Sequence, residues 1–176
     1  LAEVDIANIN SGSQIVISGL YEDIERCQPV FAESGARFAR LNVSAAFHSG
    51  WMRDIQAQFA DYIATQSLRP LQKDVISNRT ARPHARDAYL PQVIEQISHP
   101  VNWYESMSWL LAQGEVALEE VGPGTVLSGL FVKIRKDPMP ATASDAANAN
   151  ASVPMPGPRA SDAPRTVFMF SGQGSQ

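Results

Sequence analysis

The sequence predicts an α/β fold, and three observations predict it. Short β-rich runs alternate with helix-period segments as far as residue 136. Turn-forming Gly, Asn and Ser residues punctuate those segments. With 44% hydrophobic and 18% charged residues, the chain can bury a real core. Alternation of this kind favours an α/β or α+β architecture over a bundle or sandwich.

Val4 to Ile9 and Gln14 to Ile17 are β-rich runs, separated by the turn-forming cluster Asn10-Ser11-Gly12-Ser13. Tyr21 to Glu33 reads as a helix with Ile24, Val30 and Phe31 on its apolar face, and Gly35 is placed to end it. Arg37 to Val43 follows as a strand. Met52, Ile55, Phe59 and Ile63 recur every three or four residues with Arg53, Asp54 and Asp61 between them, the pattern of an amphipathic helix. Asp74 to Ser77 is a short strand, and two further helices cover Leu90 to Ile97 and Trp103 to Gln113. Val116 to Val121 is a strand that runs into Gly122-Pro123-Gly124, with a helix from Thr125 to Lys136 directly after it.

Residues 137–165 have a different character. They contain Pro, Ala, Ser, Asp and Asn but no aromatic residue, Ile or Leu, so they cannot bury enough apolar area to offset the entropy of ordering them. Prolines at 138, 140, 154, 156, 158 and 164 favour extended spacing. This is a linker. After it, residues 166–170 form an apolar run that enters the glycine-rich Ser171-Gly172-Gln173-Gly174-Ser175-Gln176, the pattern of a buried strand opening a second domain.

The net charge is −4 and no Lys/Arg run occurs, which argues against nucleic acid or an anionic membrane as partner. Cys27 is the single cysteine, so no disulfide framework or cysteine metal cluster can form within the chain. No apolar stretch approaches the roughly 18 residues of a membrane span. A soluble, cytoplasmic protein is expected, and Leu1 in place of Met suggests a chain cut from something longer.

Three histidines offer chemistry. His84 lies in a Pro- and Arg-containing loop and reads as a solvated side chain, whereas His99 before Pro100 suits a hydrogen-bonded structural role. His48 follows Ser44, Ala45, Ala46 and Phe47 at a strand-to-helix junction, where an imidazole that titrates near neutrality is presented on a rigid scaffold. Backbone N–H groups after Val121-Gly122-Pro123-Gly124-Thr125 could hold an anion, although a structural turn is the favoured reading because the phosphate-loop spacing and Lys are missing. Those of Gly172-Gln173-Gly174 could face an oxyanion; a plain turn fits equally well. No G-x-S-x-G elbow, carboxylate pair or metal-ligand pattern occurs, and Cys27 lies mid-helix as a structural thiol.

Five segments then appear in order: Asn8 to Gly19 (NINSGSQIVISG), Val43 to Ser49 (VSAAFHS), Val75 to Thr80 (VISNRT), Gln96 to Trp103 (QISHPVNW) and Glu120 to Leu127 (EVGPGTVL). Together they closely resemble the C-terminal half of the malonyl-CoA:acyl-carrier-protein acyltransferases of fatty acid and polyketide synthases. The likeness covers residues 1–136. The tail from Phe168 to Gln176 (FMFSGQGSQ) is similar to the first strand and turn of the same family, which usually has Pro where Ser171 stands. The resemblance implies a partial α/β-hydrolase-like acyltransferase large domain with the later part of an inserted ferredoxin-like subdomain. Residues 1–43 would be that later part, 44–136 the C-terminal part of the large domain, 137–165 the linker, and 166–176 the start of a second acyltransferase domain in the same chain. Tandem proteins of this kind serve bacterial polyketide assembly lines that are loaded in trans.

The mechanism so implied is ping-pong acyl transfer from malonyl-CoA, through an acyl-Ser enzyme, to the phosphopantetheine thiol of an acyl carrier protein. The CoA thioester is the substrate and no resident cofactor is implied. By resemblance His48 is the general base, oriented by the backbone carbonyl of Gln96, so that the Gln96 side chain would be dispensable. Gln173 matches the residue whose backbone N–H serves the oxyanion hole, here of the second domain. Ala46 and Phe47 precede the base and would border the α-carbon of the acyl group; a bulky ring at Phe47 resembles the malonyl-type pattern and disfavours a methyl branch by about 1–3 kcal/mol. Packing of Phe47 under the following helix is the alternative. The nucleophilic Ser and the carboxylate-binding Arg would lie upstream of Leu1, and the fragment is expected to be inactive alone.

Two other readings compete. An acyltransferase-like proofreading hydrolase would use the same Ser and His to pass the acyl group to water, and the absent Arg position would discriminate it. A docking half-domain without chemistry is the third, against which the retained His48 speaks. A truncated fold should leave apolar edges open, and residues 166–170 could pair with the partial sheet.

Overall fold

A computed structural model describes residues 3–136 and, as backbone, residues 165–170. Residues 137–164 of the linker and Gln173 lie outside the described residues, and Arg165, expected to end the linker, opens the last described strand. The first two β-rich runs form an antiparallel hairpin, β1 (Val4–Ser11) and β2 (Gln14–Gly19), closed by Gly12-Ser13. The register slips between Ile6 and Asn8, leaving Ala7 opposite no residue of β2. A bulge of this kind redirects the backbone of the extra residue. The Ala7 carbonyl turns to the other edge, where it accepts the Val101 N–H at 2.8 Å, and the Ile9 N–H donates to Val101 O at 3.0 Å. β1 therefore joins β2 on one side and the segment around residue 101 on the other.

Helix α1 (Tyr21–Glu33) follows. Gly35 takes φ 77° just past its end. Gly35 N–H donates to Ala32 O at 3.0 Å and Ala36 N–H to Phe31 O at 2.9 Å, the paired bonds of a Schellman cap. The expected apolar face is only partly used: Ile24 and Phe31 are half-buried, but Val30 is exposed. The anticipated strand from Arg37 to Val43 does not form. Strand structure needs a neighbour to complete its ladder, and Leu41 and Val43 remain exposed with none among the described residues.

A 3-10 turn at Gly50–Met52 leads into α2 (Arg53–Ala64), the amphipathic helix anticipated from its spacing. Met52, Phe59 and Ile63 are half-buried, whereas Ile55 is exposed. The strand expected at Asp74 to Ser77 is reduced to one antiparallel bridge, Ile76 to Pro83, within a loop that folds back on itself. His84 also departs from its expected place. Its N–H donates to Val75 O at 2.8 Å, and its ring is half-buried edge-on to Tyr89, with Nδ1 buried and unbonded. The fold-back covers part of the ring and buries Nδ1, so it is not a freely solvated side chain.

The core forms where α4 (Trp103–Ala112) and α5 (Val126–Lys136) meet. Tyr104, Met107, Phe131 and Ile134 are buried together, flanked by Ile9 of β1 and by Val116 and Leu118 of β3 (Val116–Val121). The final strand β4 (Arg165–Phe170) pairs in parallel with β3, from Val116 opposite Arg165 to Val121 opposite Phe170, as anticipated for residues 166–170. No helix among the described residues is long and apolar enough to cross a membrane.

Candidate active site

The turn that carries His48 is built around Ser49. Ser49 is the N-cap of the 3-10 turn and is 1% exposed. Its hydroxyl donates to Ala46 O at 2.6 Å and accepts the Trp51 N–H at 3.3 Å. These bonds tie the residues on either side of His48, whose backbone adopts φ 57°. A left-handed non-glycine residue is uncommon and costs on the order of 1 kcal/mol, so it persists only where its surroundings hold it. The result is a half-buried imidazole projecting from a fixed bend.

Helix α3 (Leu90–Glu95) supplies the partner. Gln96 is its C-cap, and carbonyls in the last turn of a helix lack intrahelical donors. The carbonyls before it are taken: Gln92 O by Gln96 N–H, Ile94 O by Ile97 N–H, and Glu95 O by Ser98 N–H and by the ring of His99 at 2.6 Å. The free Gln96 carbonyl lies 3.0 Å from His48 Nδ1. A carbonyl only accepts, so Nδ1 carries the hydrogen and Nε2 is left as the basic lone pair. The Gln96 side chain faces elsewhere and accepts from Asn78 Nδ2 at 3.3 Å.

The structure thus brings together His48 and Gln96, with Ala46 half-buried beside them. Phe47 is 48% exposed. A shallow cleft of about 490 Å³ lies alongside, lined by Glu3, Val4, Asp5, Gly50 and Trp51. Among the described residues no group of three or more His, Cys, Asp or Glu is placed to hold a metal ion.

The glycine-rich turn after β3 does hold an anion, but an internal one. The Glu120 carboxylate accepts the Ser128 hydroxyl at 2.7 Å and the N–H groups of Ser128 and Leu127 at 2.9 and 3.2 Å. These bonds, the Ser128 hydroxyl foremost, hold the Glu120 carboxyl below its ordinary range. The helix start is occupied by this chain's own side chain, which settles that turn as structural. Ser49 could have been found as a capping residue ahead of an amphipathic run. Glu120, seven residues before its first N–H partner, carried no comparable signal.

No protein-family model matches the chain. Over 139 residues it is 42% identical to the polyketide biosynthesis malonyl CoA-acyl carrier protein transacylase BaeC of Bacillus velezensis, a match that covers 78% of this chain and 48% of BaeC. Its homologues are malonyl CoA-acyl carrier protein transacylases. The crystal structure of the transacylase from Burkholderia pseudomallei superposes with a TM-score of 0.70 at 36% identity, over 78% of this chain and 49% of that one. A malonyl-transacylase solved in complex with a type II PKS acyl-carrier protein matches with a TM-score of 0.70 at 30% identity, over 76% of this chain and 44% of that one. The chain spans about half the length of these transacylases, and like them it is a mixed α/β protein.

Proposed function

We propose that the chain supplies the general base of an enzyme that moves a malonyl group from CoA to an acyl carrier protein in polyketide or fatty acid synthesis. The observation that carries this reading is the 3.0 Å approach of His48 Nδ1 to the Gln96 carbonyl, which leaves Nε2 free to take a proton. A Ser hydroxyl outside this chain attacks the malonyl thioester while Nε2 takes its proton; the imidazolium returns that proton to the departing CoA thiolate. In the second half-reaction His48 deprotonates the phosphopantetheine thiol, which attacks the acyl-Ser ester, and the imidazolium reprotonates Ser. An uncharged orienting group fixes the tautomer but stabilises imidazolium less than a carboxylate does.

The finer assignments belong to the same reading. Residues 1–43 are the later part of a ferredoxin-like insert and residues 44–136 the C-terminal part of a hydrolase-like large domain. Residues 137–165 are a linker. Residues 166–176 open a second acyltransferase domain whose oxyanion hole includes the Gln173 N–H. Ala46 and Phe47 border the acyl α-carbon, the carboxylate-binding Arg lies outside the chain, and the chain alone does not turn over. The enzyme is cytoplasmic and holds no resident cofactor.

The test uses the intact enzyme with the second domain's Ser disabled. It is mixed separately with malonyl-CoA, methylmalonyl-CoA and acetyl-CoA, with and without carrier protein, and acyl-enzyme and acyl-carrier are followed by mass spectrometry. Malonyl transfer that falls about 10²–10⁴-fold in His48→Ala and stays near wild type in Gln96→Ala is the expected result. Undiminished transfer by His48→Ala would overturn it. Release of free acid from acyl-carrier, with little malonyl loading, would make the domain an editing hydrolase.

A further inference from the structure

Strand β1 reaches both halves of the His48–Gln96 pair. At its start, Asp5 Oδ2 accepts the Gly50 N–H at 2.7 Å, two residues beyond His48. Further along, the Ala7 carbonyl and the Ile9 N–H bond both backbone groups of Val101, five residues beyond Gln96. One element therefore sets the imidazole-bearing turn against the segment that carries its acceptor. The bonds to Val101 are made by main chain whatever the side chains; on the His48 side the tie is the Asp5 carboxylate.

Chemistry favours a carboxylate at that point. The Gly50 N–H belongs to the first turn after the Ser49 N-cap, where helix donors have no intrahelical partner and the helix end is positive. An ionised acceptor makes the shorter and stronger kind of hydrogen bond there. A Cβ built on Gly50 would lie 3.4 Å from Asp5 Oδ2 and 3.7 Å from Arg53 Nη2, so a cation flanks the same spot. His48 sits two residues away at φ 57°, a conformation that persists only where its surroundings hold it.

We propose that Asp5 is a positioning residue for His48: by holding the Gly50 N–H it keeps the left-handed turn against β1 and the imidazole on the Gln96 carbonyl. The catalytic part of this rests on His48 being the general base. Nitrogen-15 NMR of the full chain, whose three histidines give three rings, reads the outcome directly. In the native chain His48 shows the single Nδ1–H tautomer. Asp5→Ala loses it to a mixture, whereas Asp5→Asn, whose amide oxygen still accepts, restores it. His99, tied to Glu95 O by its own ring, keeps its tautomer throughout and reports that the fold is intact. Gly50→Pro removes the donor at a helix position that tolerates proline; it reproduces the loss and adds nothing to Asp5→Ala, and it carries the test if Asp5→Ala fails to fold. An unchanged His48 tautomer in the folded variants overturns the proposal. In the intact enzyme Asp5→Ala lowers kcat about ten- to hundredfold with KM little changed. A shifted tautomer with unchanged kcat would leave the positioning standing and overturn His48 as the base.

Discussion

Glu120 and His84 make the folded chain sensitive to acid in two separate ranges of pH. The bonds from Ser128 and Leu127 hold the Glu120 carboxyl below its ordinary value of 4.5. The folded chain then binds fewer protons there than the unfolded chain, so this contribution is full above 4.5 and is lost as pH falls through the lower folded value. Burial holds the His84 imidazole below its ordinary 6.5, with a hydrogen bond to Gln92 opposing the shift in part. Here too the unfolded chain takes its proton first, and stability declines as pH drops below 6.5 towards the folded value. Thermal melts between about pH 8 and about pH 3 should therefore show two descending limbs. His84→Gln flattens the upper limb alone, and Glu120→Gln flattens the lower one alone. A His84 variant with an unaltered upper limb would mean that this ring does not titrate differently on folding.

Elements with local signals could be read from the chain, and those that depend on distant partners could not. Helix α1 occupies the predicted Tyr21–Glu33, and β3 the predicted Val116–Val121. Each is bounded by turn or capping chemistry within a few residues. Gly35 illustrates this: nothing lies within 4 Å of an added Cβ, so Gly35→Ala meets only the backbone penalty of φ 77°. Urea unfolding should show a loss of about 1 kcal/mol with an unchanged m-value. Residues 37–43 carry β propensity but find no ladder, and α2 has the right period yet leaves Ile55 and Tyr62 exposed. The site divides in the same way. His48 stood out ahead of an amphipathic helix, although the strand expected before it does not form, and Gln96 was named from the resemblance alone. Asp5 was not legible, because its partner is 45 residues away.

At the scale of the whole molecule, the pairing of β3 with β4 closes the chain on itself across the residues that separate them. Among the described residues β3 has β4 as its one strand neighbour. Without it, both edges of β3 would present unpaired N–H and C=O groups, a template for association with other chains. The six-residue register from Val116–Arg165 to Val121–Phe170 leaves no offset. Alternate β3 amides that donate to β4 should exchange slowly with deuterium in the full chain. In a chain ending at residue 164 the same amides should exchange at least about tenfold faster, and soluble aggregates should rise with concentration. The amides of α1 serve as the reference, since that helix makes its bonds within itself and at its own cap. Equal β3 exchange in the two chains would show that β4 does not protect this edge.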